Sequence, residues 1–400
     1  MQCSILVRFA FASILSNLVF LTGNAAQTFG AEASNTAPAA ACSTGTLSIA
    51  GACMSAADAA AGVRAVVEHT MSESKLRAVV VSIRVGGTTV LTQAWGDSVE
   101  GVPASVDMHF RNGAIAIAYL TTVLLKLQDD GVLRVDDKLA KWLPDLPQSD
   151  KITLTMLANN TSGYADYVPV LPIYANVFRQ WTPDELIASA LSQPRPCEPG
   201  ACFTYAHTNY VILGEVLQKA TGKDVATLIR DIVVTPLGLS NTRSDQTAFI
   251  PEPVLHAYDN DRGHYEDSTT WNPSWTLAEG SIMTTNIADA VTSAIAIGKG
   301  SLLSRQAHDL QISPLLVKYP PMSEKLYFGL GVVCTNGWIA QTPSFFGYSA
   351  VMAYLPGKDI AIAVTSTSSE GAKTFVGANL LFSNIAGYLS PDQPPTLFAK

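Results

Sequence analysis

The sequence has little charge, and that charge is not concentrated in any one segment. Only 14% of its 400 residues are Asp, Glu, Lys or Arg, the formal net charge is −8, and no cluster of Lys or Arg occurs. Nucleic acids and anionic membrane surfaces are bound by basic patches, so neither is an expected partner. With 48% hydrophobic residues and no repeating period, the chain is expected to fold compactly. Soluble enzymes and soluble binding proteins remain.

The chain also lacks a recognisable metal-binding motif. Its six histidines form no HExxH or comparable pair, and the cysteines are not spaced as zinc ligands beside histidines. We therefore expect no metal and no other cofactor.

Long apolar runs are absent except near the N-terminus. Residues 9–22 form an apolar run of signal-peptide length, too short and too polar for a comfortable transmembrane helix. Small residues at Ala31 and Ala33 offer a cleavage site before Ser34, with a second choice at residues 23–25. We predict a signal peptide at residues 1–33, the alternative being an uncleaved anchor. No later stretch could span a bilayer, so we expect a secreted, periplasmic or cell-envelope protein.

Cysteine usage favours the same compartment. Cys42 and Cys53 form one local pair, and Cys197 and Cys202 form another, in loop-like sequence flanked by Gly or Pro. Such pairs are typical of disulfides in an oxidising environment. We predict both disulfides, and Cys334 is left over.

Hydrophobic patterning predicts a sheet built from both ends of the chain. Residues 34–54 are interpreted as a linker, after which Ser55 caps a helix that ends near Met71. Alternating or β-branched runs then predict strands at both ends, followed by a last helix: strands over 78–85, 89–95, 327–333, 350–355 and 360–366, and a helix over 373–389.

The sequence between these ends is mostly helical. It includes apolar helices predicted over residues 114–128 and 209–220. We therefore predict an α/β protein with a discontinuous sheet domain, formed by residues 55–100 and 325–400, and an inserted, mainly helical domain, residues 101–324. A ligand site is expected between the two domains.

Several short motifs occur in a characteristic order between about residues 58 and 390. They include Phe110-Arg111-Asn112-Gly113, Asp130-Gly131, Thr161-Ser162-Gly163, Phe203-Thr204-Tyr205, Tyr210-Val211-Ile212-Leu213-Gly214, Pro236-Leu237-Gly238-Leu239, Glu279-Gly280-Ser281-Ile282-Met283 and Phe328-Gly329-Leu330-Gly331. In order and spacing they resemble the beta-lactamase-related serine hydrolases, which include class C beta-lactamases, D-alanyl-D-alanine carboxypeptidases, penicillin-binding-protein-like proteins and esterases. The resemblance implies that family's fold, with an antiparallel sheet flanked by helices.

In that family a Ser opens the helix after Phe-Arg-x-Gly, and a Lys three residues later activates its hydroxyl. Those two positions are Ala114 and Ile117 in this chain. An alanine has no group that forms an acyl-enzyme, and an isoleucine replaces the cation by hydrocarbon. The resemblance therefore implies that the acyl-serine mechanism is missing.

The two other catalytic elements of the family are altered as well. Its Tyr-x-Asn loop corresponds to Tyr205-Ala206-His207, in which the Tyr is kept and His replaces Asn. Its Lys-Thr-Gly or His-x-Gly strand corresponds to Gln341-Thr342-Pro343, and Pro cannot donate a backbone hydrogen bond. Asn160 stands where many relatives carry His. A disulfide between Cys197 and Cys202 would hold the loop that carries Tyr205.

We predict a secreted family member that is catalytically inactive and binds a peptide, a cell-wall fragment or a partner protein. The binding cleft is expected to be lined by Ala114, Ile117, Tyr205, His207, Gln341, Thr342 and Pro343. The alternative is a hydrolase or acid–base enzyme of altered mechanism, in which Tyr205 and His207 transfer protons. A structural role in the envelope, with the cleft unused, has no positive support in the sequence.

Other serines and aromatic residues are weaker candidates. Ser72-Glu73-Ser74-Lys75 matches Ser-x-x-Lys, but it ends a helix where the working motif must open one. Ser162 and Ser349 lie in segments that active relatives share, so neither is expected to replace the nucleophile. Packing is the favoured interpretation of three aromatic residues, and a ligand cleft is the alternative: Trp271, Trp275 and Tyr258.

Overall fold

The computed structural model describes Cys42 and residues 46–244 and 247–396. The predicted signal peptide and the first part of the predicted linker lie outside the described residues. Within the described ranges, no helix is long and apolar enough to cross a membrane.

Strands are concentrated towards the two ends of the described chain and helices between them. The helices are α1 (Ala56–Ser74), α2 (Ile115–Asp129), α3 (Leu154–Ala158), α4 (Pro183–Leu191), α5 (His207–Thr221), α6 (Val225–Ile229), α7 (Thr235–Leu237), α8 (Ile287–Lys299), α9 (Arg305–Gln311) and α10 (Gly377–Leu389). The strands are β1 (Thr46–Ile49), β2 (Ala52–Ser55), β3 (Leu76–Val85), β4 (Thr88–Val99), β5 (Val102–Pro103), β6 (Phe110–Arg111), β7 (Tyr258–Asp259), β8 (Glu266–Asp267), β9 (Thr284–Thr285), β10 (Leu326–Phe328), β11 (Val333–Thr335), β12 (Trp338–Gln341), β13 (Ser344–Phe345), β14 (Tyr348–Leu355) and β15 (Ile360–Ser368).

One nine-stranded antiparallel sheet joins the two ends of the chain. Its order is β10-β11-β12-β14-β15-β3-β4-β5, with β13 paired to β14. The central contact is between β15 and β3, where Ile360 lies opposite Val85 and Val364 opposite Val81. The predicted antiparallel sheet, built from both termini and flanked by helices, is confirmed.

Side chains alternate between the two faces of the sheet, as the period of a strand requires. On β3, Val79, Val81 and Ile83 belong to the core beneath α1 and α10. Ala78 and Val80 on the same strand belong to a larger core, which also contains the buried residues of α2, α5 and α8. The sheet thus holds one hydrophobic core on each face. The boundaries of the two predicted domains stay a prediction.

Capping residues mark two of the helix ends that the sequence predicts. The Ser55 side chain accepts a hydrogen bond from the Asp58 backbone N–H at 3.1 Å and so begins α1, as predicted. Gly222 ends α5 with a φ of +71°, a conformation that favours glycine. Helix α5 begins two residues before the predicted start, so His207 is its first residue.

The structure differs from the predicted elements in several places. Residues 46–54 of the predicted linker, together with Ser55, form the β1–β2 hairpin, which buries Ile49 and carries Cys53 of a disulfide to Cys42. The predicted strand 327–333 is two strands, β10 and β11, because the chain turns at Gly331 with a φ of +72°. Strand β12 was not predicted, because four residues are too short to establish a pattern.

Candidate functional site

A cleft lies where the start of α2, the loop before α5 and the segment after β12 meet. It consists of two cavities of about 380 and 370 Å³, which share Ala114, Tyr205 and Thr342 among their lining residues. His207 and Pro343 line the first cavity and Gln341 lines the second. Six of the seven residues predicted to line a cleft are therefore brought together by the fold.

The rest of the lining is mostly apolar and carries no positive charge. Among the described residues, neither cavity is lined by a Lys or an Arg. Apolar and aromatic side chains dominate the walls: Trp275, Leu277, Ile282 and Phe345 in the first cavity, and Phe203, Phe328 and Val333 in the second.

Ala114 is the residue that the sequence predicts at the position of the family's nucleophile. It is the N-cap residue of α2, is half-buried, and faces both cavities with only a methyl group. No side-chain hydrogen bond caps this helix start.

The prediction that Ile117 lines the cleft is wrong. Its side chain is fully buried in the larger hydrophobic core, and it lines neither cavity. A hydrocarbon side chain is stabilised by leaving water, so at this position it packs inward beneath Ala114 instead of facing the cleft.

Asn160 fixes the loop that carries Tyr205. The backbone N–H groups of Thr204 and Ala206 donate to the Asn160 backbone oxygen at 3.0 Å and to its Oδ1 at 3.1 Å. Its Nδ2 donates to the Tyr210 hydroxyl at 2.6 Å. Asn160 adopts a φ of +62°, in the left-handed region that Asn tolerates better than most residues. Asn160, which stands where many relatives are expected to carry His, therefore positions Tyr205.

The second predicted disulfide borders the same loop. Cys197 and Cys202 are bonded, and between them the Gly200 backbone N–H donates to the Thr161 backbone oxygen at 2.8 Å. Both predicted disulfides are present, and Cys334 is a free, buried thiol. The loop before Tyr205 is thus held by a disulfide within it and by a hydrogen bond to the turn at residues 160–163.

Tyr205 is a neutral phenol in this cleft. Burial raises the pKa of its hydroxyl above the usual range, and the negative charge of Asp166 raises it further. A protonated phenol can donate a hydrogen bond. The residue as a whole is 36% exposed, and it lines both cavities.

His207 is held by a carboxylate that sequence reasoning missed. Its Nδ1 lies 3.1 Å from Oδ2 and 3.2 Å from Oδ1 of Asp166, and its backbone N–H donates to the same carboxylate at 3.2 Å. The Tyr205 and His207 rings meet edge to face, with centroids 5.2 Å apart. The only sequence signal for Asp166 was its place three residues after the turn that ends at Gly163.

The third altered element lies opposite the start of α2. Gln341 ends β12 and is buried, and its Nε2 donates to the Gly331 backbone oxygen. Pro343 lies between β12 and β13, outside the ladder, so its missing N–H interrupts no strand pairing. Its backbone oxygen accepts from the Ala350 N–H at 3.0 Å.

The alternative serines lie away from the cleft. Ser162 is fully buried and donates to Oδ1 of Asn209. Ser349 is buried in β14, where its hydroxyl accepts from the Ala378 N–H at 3.2 Å. Ser74 and Lys75 lie at the C-terminal end of α1, as predicted.

The three aromatic residues divide between packing and the cleft. Trp271 is buried against Phe346, with ring centroids 4.9 Å apart, and Tyr258 stacks on Tyr265 at 5.0 Å. Trp275 lines the first cavity, so for this residue the interpretation as interior packing alone is incomplete. Among the described residues, no group of three or more His, Cys, Asp or Glu side chains is arranged to hold a metal ion.

An antiparallel sheet flanked by helices, with a cleft at the start of a buried helix, is the beta-lactamase and transpeptidase type of fold. The chain belongs to the beta-lactamase family, because the family model named Beta-lactamase matches residues 63–382. The predicted fold class and the predicted kinship to beta-lactamase-related serine hydrolases are both confirmed.

Individual relatives are distant. Penicillin-binding protein 4 of Amycolatopsis lactamdurans is 29% identical over 165 residues, which are 39% of this chain and 40% of that protein. The match thus spans about two fifths of the length of this curated relative.

Solved structures match over more of the chain. A D-stereospecific amidohydrolase from Streptomyces sp. is 25% identical with a TM-score of 0.71, covering 81% of this chain and 98% of that one. The D-amino acid amidase of Ochrobactrum anthropi SV3, solved in complex with L-phenylalanine amide, has a TM-score of 0.74 at 21% identity and covers 83% of this chain and 98% of that one. The second likeness concerns the fold alone.

Proposed function

We propose that this protein is an exported member of the beta-lactamase family that binds a peptide or a cell-wall fragment in its cleft without forming an acyl-enzyme. The observation that carries the proposal is Ala114 at the N-cap of α2, facing the cleft where the family places its nucleophile. Ile117, buried beneath it, supplies no cation to activate a hydroxyl.

The shape and lining of the cleft support reversible binding. Cavities of about 380 and 370 Å³ are within the range of small-ligand sites, and most of their walls are apolar, with a few polar groups to fix orientation. One named relative also favours this ligand class, since it is a penicillin-binding protein.

Covalent labelling tests the loss of acyl-serine chemistry. Wild-type protein is expected to remain unlabelled by a fluorescent penicillin and a fluorophosphonate. The double variant Ala114→Ser/Ile117→Lys is expected to be labelled, because it restores both the hydroxyl and the amine that activates it. Ala114→Ser alone is the matched control and is expected to label far more slowly, since it lacks the amine.

Because Ile117 is fully buried, the double variant requires a folding check by near-UV circular dichroism. Binding by the wild type is measured separately, by calorimetry with muropeptides and with a penicillin. A covalent adduct on wild-type protein in an intact-mass spectrum would contradict the proposal, as would the absence of binding to every muropeptide and penicillin tested.

Export is the second part of the proposal. Two disulfides, Cys42–Cys53 and Cys197–Cys202, support it, because disulfides form and persist in oxidising compartments. N-terminal sequencing of protein recovered from the envelope or the medium is expected to begin at Ser34. A chain recovered only from the cytoplasm, with free thiols at these positions, would overturn this part.

A further inference from the structure

We propose that Asp166 and His207 form a general-base pair that activates water in the cleft, so that the protein hydrolyses uncharged carboxylic esters directly. The proposal rests on the contact between a carboxylate and a cleft-lining imidazole, and it uses the same cleft as the proposed function. Binding without acylation does not depend on it.

The carboxylate determines which nitrogen of His207 is the base. A carboxylate only accepts hydrogen bonds, so Nδ1, at 3.1 and 3.2 Å from the two Asp166 oxygens, carries the proton. In the neutral imidazole Nε2 is then the acceptor. Among the described residues Nε2 has no hydrogen-bond partner, and the side chain of His207 is 23% exposed.

Hydrogen bonds from two backbone N–H groups hold the Asp166 carboxylate in place. Its Oδ1 accepts from the backbone N–H of Val168 at 3.4 Å and from that of His207 at 3.2 Å. One carboxylate therefore binds both the first backbone N–H of α5 and the imidazole on the same residue. This double contact fixes the ring where it lines the cleft, as a base must be fixed to act efficiently.

Tyr205 supplies the second group that the reaction requires. Its ring lies edge to face with His207, at 5.2 Å between centroids. A phenol with the usual pKa of about 10 is protonated at neutral pH, so the Tyr205 hydroxyl is a donor for negative charge that develops on a substrate oxygen. The family's Asn at position 207 has no titratable nitrogen, so the base is a property of this chain.

The proposed step balances without any further reagent. His207 Nε2 takes a proton from a water molecule while the water oxygen bonds to the ester carbonyl carbon. The carbonyl oxygen becomes an oxyanion that accepts a hydrogen bond from Tyr205. When this intermediate collapses, the carbon–alkoxy bond breaks, and the leaving alkoxide takes the proton back from Nε2. The products are a carboxylic acid and an alcohol, and no atom of the protein is acylated.

The lining selects the substrate class. No Lys or Arg among the described residues lines the cleft, so the proposed hydrolysis requires no charged group on the ester. Trp275, Leu277 and Phe345 in the first cavity, with Phe203 and Phe328 in the second, favour apolar groups on both sides of the ester. Esters are favoured over amides because an alkoxide leaves more readily than an amine anion.

The test is hydrolysis of p-nitrophenyl butyrate, an uncharged ester, by full-length oxidised protein. The His207→Ala variant is expected to lower kcat/KM about 100-fold, the usual contribution of a general base, and added imidazole should restore part of the rate. A purely structural change would not respond to imidazole. Tyr205→Phe is expected to lower kcat by a similar factor, because one oxyanion donor is lost.

Asp166 acts through His207 and is a positioning residue. In Asp166→Asn the amide can donate to Nδ1, which places the imidazole proton on Nε2 and removes the base. We expect kcat to fall about 100-fold while KM changes little. The matched control is His256→Gln, because His256 also pairs with a carboxylate, Nδ1 to Asp267 Oδ2 at 2.7 Å, but lines neither cavity. That variant should keep the wild-type rate.

Three results would overturn the inference. They are no turnover above buffer by the wild type, equal rates for wild type and His207→Ala, and an acyl adduct during turnover. Calorimetry separates this inference from the proposed function. If the wild type binds its ligand but does not hydrolyse the ester, the catalytic pair alone is rejected. If the wild type binds none of the muropeptides or penicillins tested, the proposed function is rejected.

Discussion

Gly113 shows how closely one residue can constrain this cleft. Its φ of +50° lies in the left-handed region, and a Cβ built on it would lie 2.5 Å from Cβ of Pro343 and 3.0 Å from the Phe345 ring. Pro343 can therefore approach this closely because position 113 has no side chain. The left-handed glycine on one side of the cleft and the proline on the other are in this way coupled.

At this scale we predict that Gly113→Ala destabilises the fold more than a glycine change elsewhere. The control is Gly222→Ala, which has a φ of +71° but no atom within 4 Å of its added Cβ. The control should lose about 1 to 2 kcal/mol of unfolding free energy, the cost of a left-handed alanine. Gly113→Ala should lose about 1 to 3 kcal/mol more, from overpacking against Pro343. Urea unfolding measures both, and equal losses would mean that the close approach carries no energy.

Elements were predictable where a local signal marks their ends. Helix α1 begins after the cap at Ser55, and α5 ends at Gly222, as the sequence indicates. Strand β12 and the β1–β2 hairpin were not predicted, because each strand has only four residues, which is too few to establish a period. Ala340 of β12 pairs with Ala353 of β14 and is buried by the sheet.

The loop before α5 is the element on which the proposed chemistry depends. Sequence alone suggested that the Cys197–Cys202 disulfide holds it. In the structure Asn160 adds bonds to both sides of Tyr205, and Asp166 adds one at the first residue of α5. These contacts join residues 160–166 to 204–207, so the two segments form one support for the cleft.

In the molecule as a whole, several tyrosine side chains are buried in the larger hydrophobic core. Tyr119, Tyr167, Tyr210 and Tyr348 are each 0 to 2% exposed, and burial raises the pKa of every one of these hydroxyls. Their hydroxyls are also satisfied by hydrogen bonds, as in the donation from Tyr348 to the Leu255 backbone oxygen at 2.6 Å. Such groups are stable when protonated and costly to ionise inside the fold.

At this scale we predict a loss of stability in alkali. In the unfolded chain a tyrosine ionises near its usual pKa of about 10, whereas the buried phenols stay protonated in the folded chain. Above about pH 10 the folded state thus binds more protons than the unfolded state, and the free energy of unfolding falls as pH rises, by up to about 1.4 kcal/mol per pH unit for each tyrosine. Urea midpoints at about pH 8 and about pH 11 measure the effect.

Tyr348→Phe provides the matched control for this prediction. It removes one buried phenol, so its stability should be lower near neutrality, where a hydrogen bond is lost, but should fall less steeply in alkali. A midpoint that is unchanged between the two pH values would contradict the prediction.

The sequence by itself determined the family, the two disulfides, the cap that begins α1 and the glycine that ends α5, because each is recorded in neighbouring residues or in the order of short motifs. The absence of the family's nucleophile stays a prediction from the same motifs. Only the tertiary structure decided what the cleft contains. It buried Ile117, made Asn160 a support for Tyr205, and placed Asp166 against His207 across 41 positions of sequence. Contacts at that separation depend on the path of the chain between them, and no local period or cap encodes that path.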